Sequence, residues 1–498
     1  MNKVNNKKSI LLVYPKYTET FWSLKYALRI IGKKAAFPPL GLLTIAAMMP
    51  KDWDKKLIDM NVEILKDDDI KKADYVFISA MIVQKESVIK AIEKIKKIGK
   101  PIVAGGPLFT TGWEDFSQID HFVLGESEDT FHLLVDDIKK NTVKKTYINK
   151  EFPDIKKSPV PDWSLINISK YNSLCIQYSR GCPFNCEFCD IVILNGRIPR
   201  FKTKEQTISE LDAIYNQGWR GGVFFVDDNF IGNKARVKKD QLPAIIKWQK
   251  ERNYPLSFNT QASINLADDP ELANLMVEAG FTTVFVGIET PDSEGLSECG
   301  KHQNENRDLV LSIKKIQNAG LEVQGGFIVG FDSDKTSIFQ RQIDFIQKSG
   351  IVTAMVGVLI ALPKTRLYKR LSETNRITEE TLADNTKFSS LNFVPKMDKE
   401  TLLNGYKKIL KTIYEPKNYY ERIKTLIREF KPPKRGLQKL KLYHVKALLY
   451  SLWTLGIKNR GRYYYWKLIL WSLFKHPGHF PYTIGFSIIG IHFRLLSA

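Results

Sequence analysis

Three of the five cysteines fall within eight positions, in Tyr178-Ser-Arg-Gly-Cys182-Pro-Phe-Asn-Cys186-Glu-Phe-Cys189. A Cys-x3-Cys-x2-Cys loop wraps three thiolates around one cubane. A four-iron cluster ordinarily takes four cysteines, so three leave one iron open to chelate an external ligand. A structural zinc ion is the competing reading. Zinc sites take four ligands, often as two separated pairs, and the fourth here would have to be Cys175 or a distant histidine. The spacing favours the cluster on Cys182, Cys186 and Cys189. Cys175 and Cys299 read as ordinary buried thiols. Few cysteines, mostly in one group, suit a metal site in a reducing compartment better than a disulfide framework.

The next chemistry-bearing residues sit where strands are expected to end. Asp227 and Asp228 close one apolar run; Gln261 and Glu289 stand near the ends of two later ones. At such a rim a carboxylate or amide can hold a cofactor's ammonium or ribose hydroxyl. Earlier in the chain, small or polar residues follow other strand-like runs: Ser79 and Met81 with Gln84, Gly105-Gly106-Pro107, and Gly125-Glu126. In doubly wound folds, ligands bind at the C-terminal ends of strands. The same glycines serve equally well as plain turns.

The elements that must position these residues follow from periodicity. Strand-like runs at 9–14, 56–59, 75–79, 101–104 and 121–124 alternate with helical patterns. One of those helices, Ser87 to Ile98, places Val88, Ile92 and Ile95 on one face. This alternation predicts a parallel, doubly wound (Rossmann-like) sheet over 1–144. Pro153, Pro159 and Pro161 mark a linker over 145–170. Strands expected at 174–178, 223–227, 257–262, 283–288, 323–329 and 354–360 then give six β/α units. Six units over 171–375 fit a partial (β/α)6 barrel better than a full eight-unit one. From 376 to 498 helical patterns dominate, so the fold class is α/β with a mainly helical C-terminal domain.

Net charge is +21 over 498 residues, so an acidic partner is expected. The charge is concentrated at one end. Lys431 to Ala498 holds eight Lys, four Arg, no acidic residue and 13 aromatics. No apolar run there reaches the roughly 20 residues that span a bilayer. Three readings follow: an anionic membrane surface, nucleic acid, or packing against the barrel. The first is preferred, because the apolar content is high for a solvated helix and Trp and Tyr suit the headgroup level. Nucleic acid ranks last. The polar N-terminus lacks the apolar core and cleavage site of a signal peptide.

The cluster motif resembles the cobalamin-binding (class B) radical S-adenosylmethionine enzymes. Several stretches are closer still to their hopanoid C-2 methylase-like branch: 176–191, Phe225-Val-Asp-Asp-Asn-Phe-Ile-Gly-Asn233, 262–269, Val284-Phe-Val-Gly-Ile-Glu-Thr-Pro291 and Gly326-Phe-Ile-Val-Gly-Phe-Asp332. The resemblance covers about residues 8–430. It implies a [4Fe-4S] cluster, S-adenosylmethionine on the open iron, and an adenosyl radical strong enough to attack unactivated carbon. Asp227, Asp228, Gln261 and Glu289 become candidates for binding S-adenosylmethionine. Glu289 matches the family's glycine-isoleucine-glutamate motif, whereas Gln261 stands where relatives carry glutamate. Pro363-Lys364-Thr365 replaces a proline-glycine-threonine, which predicts a loop of different shape.

For the N-terminal domain the resemblance implies cobalamin, walled by Ser79, Met81, Gln84, Gly105, Gly106, Pro107, Gly125 and Glu126. The Asp-x-His-x-x-Gly signature is absent, and neither His121 nor His132 fits it. Binding without a protein imidazole is therefore the implied mode. A flavodoxin- or ferredoxin-type electron donor and a hydrophobic or lipid substrate are the implied partners, with the protein peripheral at the inner face of the membrane. Methylation is the leading outcome. Radical cyclisation or rearrangement, tRNA modification and a non-catalytic cluster- or corrin-binding sensor are the alternatives. Methylthiotransferases carry an extra N-terminal cysteine set, and this chain has no cysteine before Cys175.

Overall fold

The computed structural model of the chain describes residues 7–378, 384–386, 390–432 and 442–496. Its first layer is a six-stranded sheet: β1 (Ser9–Tyr14), β2 (Asp54–Asp59), β3 (Tyr75–Ser79), β4 (Ile102–Gly105), β5 (His121–Leu124) and β6 (Thr146–Ile148). They lie in the order β2-β1-β3-β4-β5-β6, every pair parallel. β1 explains why the sequence reads as a strand buried on both faces. Its alternate side chains serve two cores, Ile10 and Leu12 one, Leu11 and Val13 the other. The helix Lys85–Lys97 covers one face with Val88, Ala91, Ile92 and Ile95.

β6 corrects the linker expected over 145–170. Three residues, with only Tyr147 buried, give too short an alternation to read as a strand, yet they pair with β5. The rest of that stretch runs through three short 3-10 turns capped by Asp154, Asp162 and Asn167.

A second parallel sheet holds six strands: β7 (Ser173–Ile176), β10 (Gly222–Phe225), β11 (Ser257–Gln261), β12 (Phe281–Glu289), β13 (Glu322–Val329) and β14 (Ala354–Val358). Its order, β14-β13-β12-β11-β10-β7, is linear with β7 and β14 at the edges, as a partial barrel requires. Between β7 and β10 a short antiparallel ribbon pairs β8 (Ser179–Arg180) with β9 (Arg200–Phe201). The face opposite Gln261 is filled by rings packed toward the helix Leu242–Glu251. Phe225 lies 5.2 Å from both Phe258 and Phe281, and Phe230 lies 4.9 Å from Phe281. The other face carries half-buried polar residues, Asn259 and Gln261, toward the strand C-termini.

Beyond the barrel the chain is helical. Helix Lys399–Tyr414 docks on β14, with the Tyr406 hydroxyl donating to the Val356 carbonyl and Tyr414 to Ala354. The last helix, Phe480–Leu496, crosses back to the N-terminus. Phe493 stacks on Phe21 with ring centroids 4.3 Å apart, and His492 bonds the Phe21 carbonyl.

Candidate functional site

The cysteine loop leaves β7 and turns at Gly181, where φ is +96°. A Cβ there would lie 3.0 Å from the carbonyls of both Asn195 and Ile198, so only glycine lets the loop close. The Cys182 N–H donates to the Gly196 carbonyl, and the Cys189 N–H to that of Cys186. Cys186 is buried; Cys182 and Cys189 are half-buried. Burial raises all three thiols, and Lys301 opposes that rise in each. Among the described residues no three His, Cys, Asp or Glu side chains converge on a single ion. A cubane attaches each cysteine to a different iron, so thiols spread around a loop suit it.

The expected rim residues divide into two kinds. Asp227 is fully buried and already spent. One oxygen accepts from the Ser179 N–H and hydroxyl, the other from the Tyr178 N–H. Burial pushes its carboxyl up to about 7. It braces the turn into the cysteine loop, a positioning task in place of the cofactor contact expected for it. Asp228 is half-buried. It accepts from the Gly181 N–H at 2.8 Å and from Asn195 at 3.0 Å, and burial raises it too. Gln261 ends β11, its carbonyl accepting from the Phe230 N–H. Glu289 ends β12 in the left-handed region, φ +65°, and its carboxylate meets the Lys301 ammonium at 2.6 Å. Burial alone would depress Lys301, but Glu289 and then Cys186 outweigh it and hold the ammonium charged. A Cβ on Gly287 would collide with both charged ends.

At the first sheet, β3, β4 and β5 end side by side. Gly106, φ +92°, comes so close to β3 that a Cβ would lie 2.7 Å from Ser79 Oγ. Pro107 opens the following helix. A Cβ on Gly105 would lie 3.0 Å from the Val123 carbonyl, while one on Gly125 would meet nothing within 4 Å. Met81 is an exposed apolar side chain at this edge. A close-packed floor, an open position and an exposed thioether fit a broad, flat ligand. Gln84 does not line it. Fully buried, it donates to the Pro15 carbonyl and accepts from the Met81 N–H. Its polar ends stiffen the loop, and the wall contact expected of it is corrected to that. Glu126 also faces inward. It pairs with Arg180 at 2.7 Å and with Arg200.

Comparison with known proteins reads the same three regions. Models described as the B12 binding domain, the Radical SAM superfamily and a domain of unknown function (DUF4070) match residues 32–135, 176–346 and 365–497. An uncharacterized methyltransferase of Synechocystis sp. is 38% identical over 97% of this chain and 91% of its own. The hopanoid C-2 methylase of Rhodopseudomonas palustris is 33% identical over 94% of this chain and 90% of its own. The chain belongs to the cobalamin-binding radical S-adenosylmethionine methyltransferase family. Its cofactors are therefore a [4Fe-4S] cluster, S-adenosylmethionine and cobalamin. The fold agrees with two solved structures. One is TsrM, a radical S-adenosylmethionine methyltransferase from Kitasatospora setae: TM-score 0.66, 14% identity, 98% of this chain and 99% of that one. The other is OxsB, a cobalamin-dependent S-adenosylmethionine radical enzyme: TM-score 0.64, 15% identity, 99% and 79%.

Sequence reasoning missed the residues that tie this methyltransferase's parts together. Arg180 precedes Gly181-Cys182 and also pairs with Glu128 at 2.8 Å. Burial would lower Arg180, but Glu128 and Glu126 hold its charge. Glu187, between Cys186 and Cys189, takes a bidentate bond from Arg370 at 2.7 and 3.0 Å. The sole signal for both was adjacency to the motif. Lys301 lies twelve residues after Glu289 and had none. Lys364 stands where the resemblance places glycine. Its φ of +68° is a conformation glycine favours, so the lysine keeps a backbone suited to glycine and reaches toward the Thr110 carbonyl.

Proposed function

We propose that this chain methylates an unactivated carbon of a hydrophobic, lipid-class substrate. Cys182, Cys186 and Cys189 hold the cluster. Asp228, Gln261 and Glu289 face S-adenosylmethionine. Ser79, Met81, Gly105, Gly106, Pro107 and Gly125 border the corrin. When bound, the cluster with S-adenosylmethionine supplies a hydrogen-abstracting adenosyl radical, and cobalamin supplies the methyl group. The protein's part is alignment. A radical made over one sheet and a methyl held over the other must meet at one carbon. The observation that carries this reading is the Glu126–Arg180 pair, which joins the edge of the first sheet to the residue before Gly181-Cys182. Arg200 binds the same carboxylate, so the two rims are clamped from both sides of the ribbon.

A lipid substrate is supported by the similarity to the hopanoid methylase. A flavodoxin- or ferredoxin-type donor would supply the electron, and an acidic one suits a chain of net charge +21. Attachment at the inner membrane face would be peripheral, since no helix among the described residues is long and apolar enough to cross.

The test is lipid profiling of a deletion strain, together with methyl transfer from labelled S-adenosylmethionine into extracted lipids by the reconstituted protein. A methylated lipid lost on deletion and remade in vitro is the expected result. An unchanged lipid profile, with label entering a water-soluble product or RNA, would overturn the lipid assignment.

A further inference from the structure

The helices before the last one place many of their apolar residues on the outside. Of the 21 exposed large hydrophobic side chains among the described residues, 11 lie between Val445 and Leu495. That is far too many for chance scatter along the surface. They recur at helical spacing. Leu449, Trp453 and Ile457 follow one another along Leu442–Ser451 and the π-helical turn Leu452–Lys458. Tyr463, Trp466, Leu470 and Phe474 do so along Arg462–Lys475. The opposite face of the second helix is buried, with Tyr465, Leu468 and Ile469 inside. Both helices are thus amphipathic twice over: one apolar face is in the core, another in water.

Charge specifies the partner. Lys458, Arg462, Lys467 and Lys475 are exposed between these apolar residues, and no residue from Lys431 onward is acidic. Where the two elements meet, Gly456, Arg462, Tyr463, Trp466, Lys467 and Leu470 line an open groove. The Trp466 indole N–H is fixed on the Gly456 carbonyl at 2.9 Å. A cation pair beside an indole and a leucine is suited to a phosphate with a hydrocarbon chain attached.

We infer that this face is a membrane-docking surface, seated on an anionic phospholipid bilayer with a headgroup phosphate between Arg462 and Lys467. Trp, Tyr and Leu at headgroup depth and cations toward phosphate are the features of an interfacial helix. The inference deepens the lipid reading and rests on it for its purpose. It gives the domain of unknown function the task of holding the catalytic domains at the surface from which a lipid substrate is drawn.

Deleting the tail is a poor test, because the last helix is packed on Phe21 and Tyr419. Point variants of the full-length protein are better. Vesicles of phosphatidylcholine, with or without a minor share of phosphatidylglycerol, are floated with the wild type, with Arg462→Gln/Lys467→Gln and with Trp453→Ala/Phe474→Ala, at low salt. Wild type should float with the anionic vesicles and much less with the neutral ones. Each neutralised cation should weaken binding about fivefold, and the apolar pair should weaken it at least as much. All three proteins should keep the same circular dichroism and the same iron content after reconstitution. The inference is overturned if wild type ignores anionic vesicles or if both variants bind as wild type does. No substrate or S-adenosylmethionine is present, so failed lipid methylation with intact flotation refutes the function alone. Methylation of detergent-dispersed lipid without flotation refutes the docking surface alone.

Discussion

Lys301 carries more of the site than its place in the sequence suggests. It is the cation that opposes the burial of all three loop thiols, and it neutralises Glu289 across 2.6 Å. Both partners are nearly buried, so removing one leaves the other charged and dry. Breaking such a pair costs roughly 3–5 kcal/mol. Lys301→Met should therefore lower the melting temperature of the cluster-free protein, and the reconstituted variant should lose iron to a chelator faster than wild type does. Equal melting temperatures and equal iron loss would show the pair to be ornamental. The cysteine group stood out as a candidate because three identical, rare residues at fixed spacing have few other uses. Lys301 was not, since one lysine among many carries no pattern and its importance comes from the strand-end turn that brings it beside Glu289. Asp227 shows the converse. Its position at a strand end was correctly read, but its task could not be, because only the fold reveals that the Tyr178 and Ser179 backbone takes up both of its oxygens.

At the scale of elements, the turns after the strands decide both stability and alignment. Asp334 sits in the turn after β13, accepting from the Gly330 and Phe331 N–H groups at 2.8 and 3.1 Å. Burial pushes its carboxyl from 3.8 up to about 7. The folded value lies above the unfolded one. Stability from this group is then full below pH 3.8 and is lost as pH rises to about 7. Asp334→Asn, which keeps the acceptor and removes the charge, should raise the melting temperature increasingly across that window and by a constant amount above it. A gain that does not change with pH would contradict the assignment. The ribbon β8–β9 makes the second case. Arg180→Gln leaves Glu126 and Glu128 without their shared cation and should uncouple radical formation from methyl transfer. We expect 5′-deoxyadenosine formation to continue while methylated product per 5′-deoxyadenosine falls about tenfold, a misplacement of the size that costs one to two orders of magnitude in rate. Matched losses of both products would show Arg180 serving the cluster alone. The main strands of both sheets were legible from their apolar runs. β6, β8 and β9, three or two residues each, were not, because pairing partners rather than local pattern make them strands.

Over the whole molecule, the two six-stranded sheets are tied together by several contacts, among them the Glu126 clamp and the buried Tyr171–Asp59 bond at 3.0 Å; the last helix, stacked on Phe21, ties the C-terminal domain to the N-terminal one. The first sheet offers no histidine to a corrin at its strand ends, so cobalamin should be held without protein imidazole. Protein loaded with hydroxocobalamin should keep it through gel filtration, and on reduction show the spectrum of a base-off corrin lacking axial imidazole. Protein that emerges free of corrin under every loading condition would contradict that. The tail's charge and aromatic content were legible as composition. Which helix packs and which faces outward was not, because both are apolar and only the contacts separate them. The claim on which the rest depends is that Cys182, Cys186 and Cys189 hold one cluster that cleaves S-adenosylmethionine. The most direct measurement is iron content and 5′-deoxyadenosine yield after anaerobic reconstitution, for wild type, Cys186→Ala and Cys299→Ala. The account predicts a four-iron cluster and product in wild type and Cys299→Ala, and neither in Cys186→Ala. A normal cluster and normal yield in Cys186→Ala would contradict it.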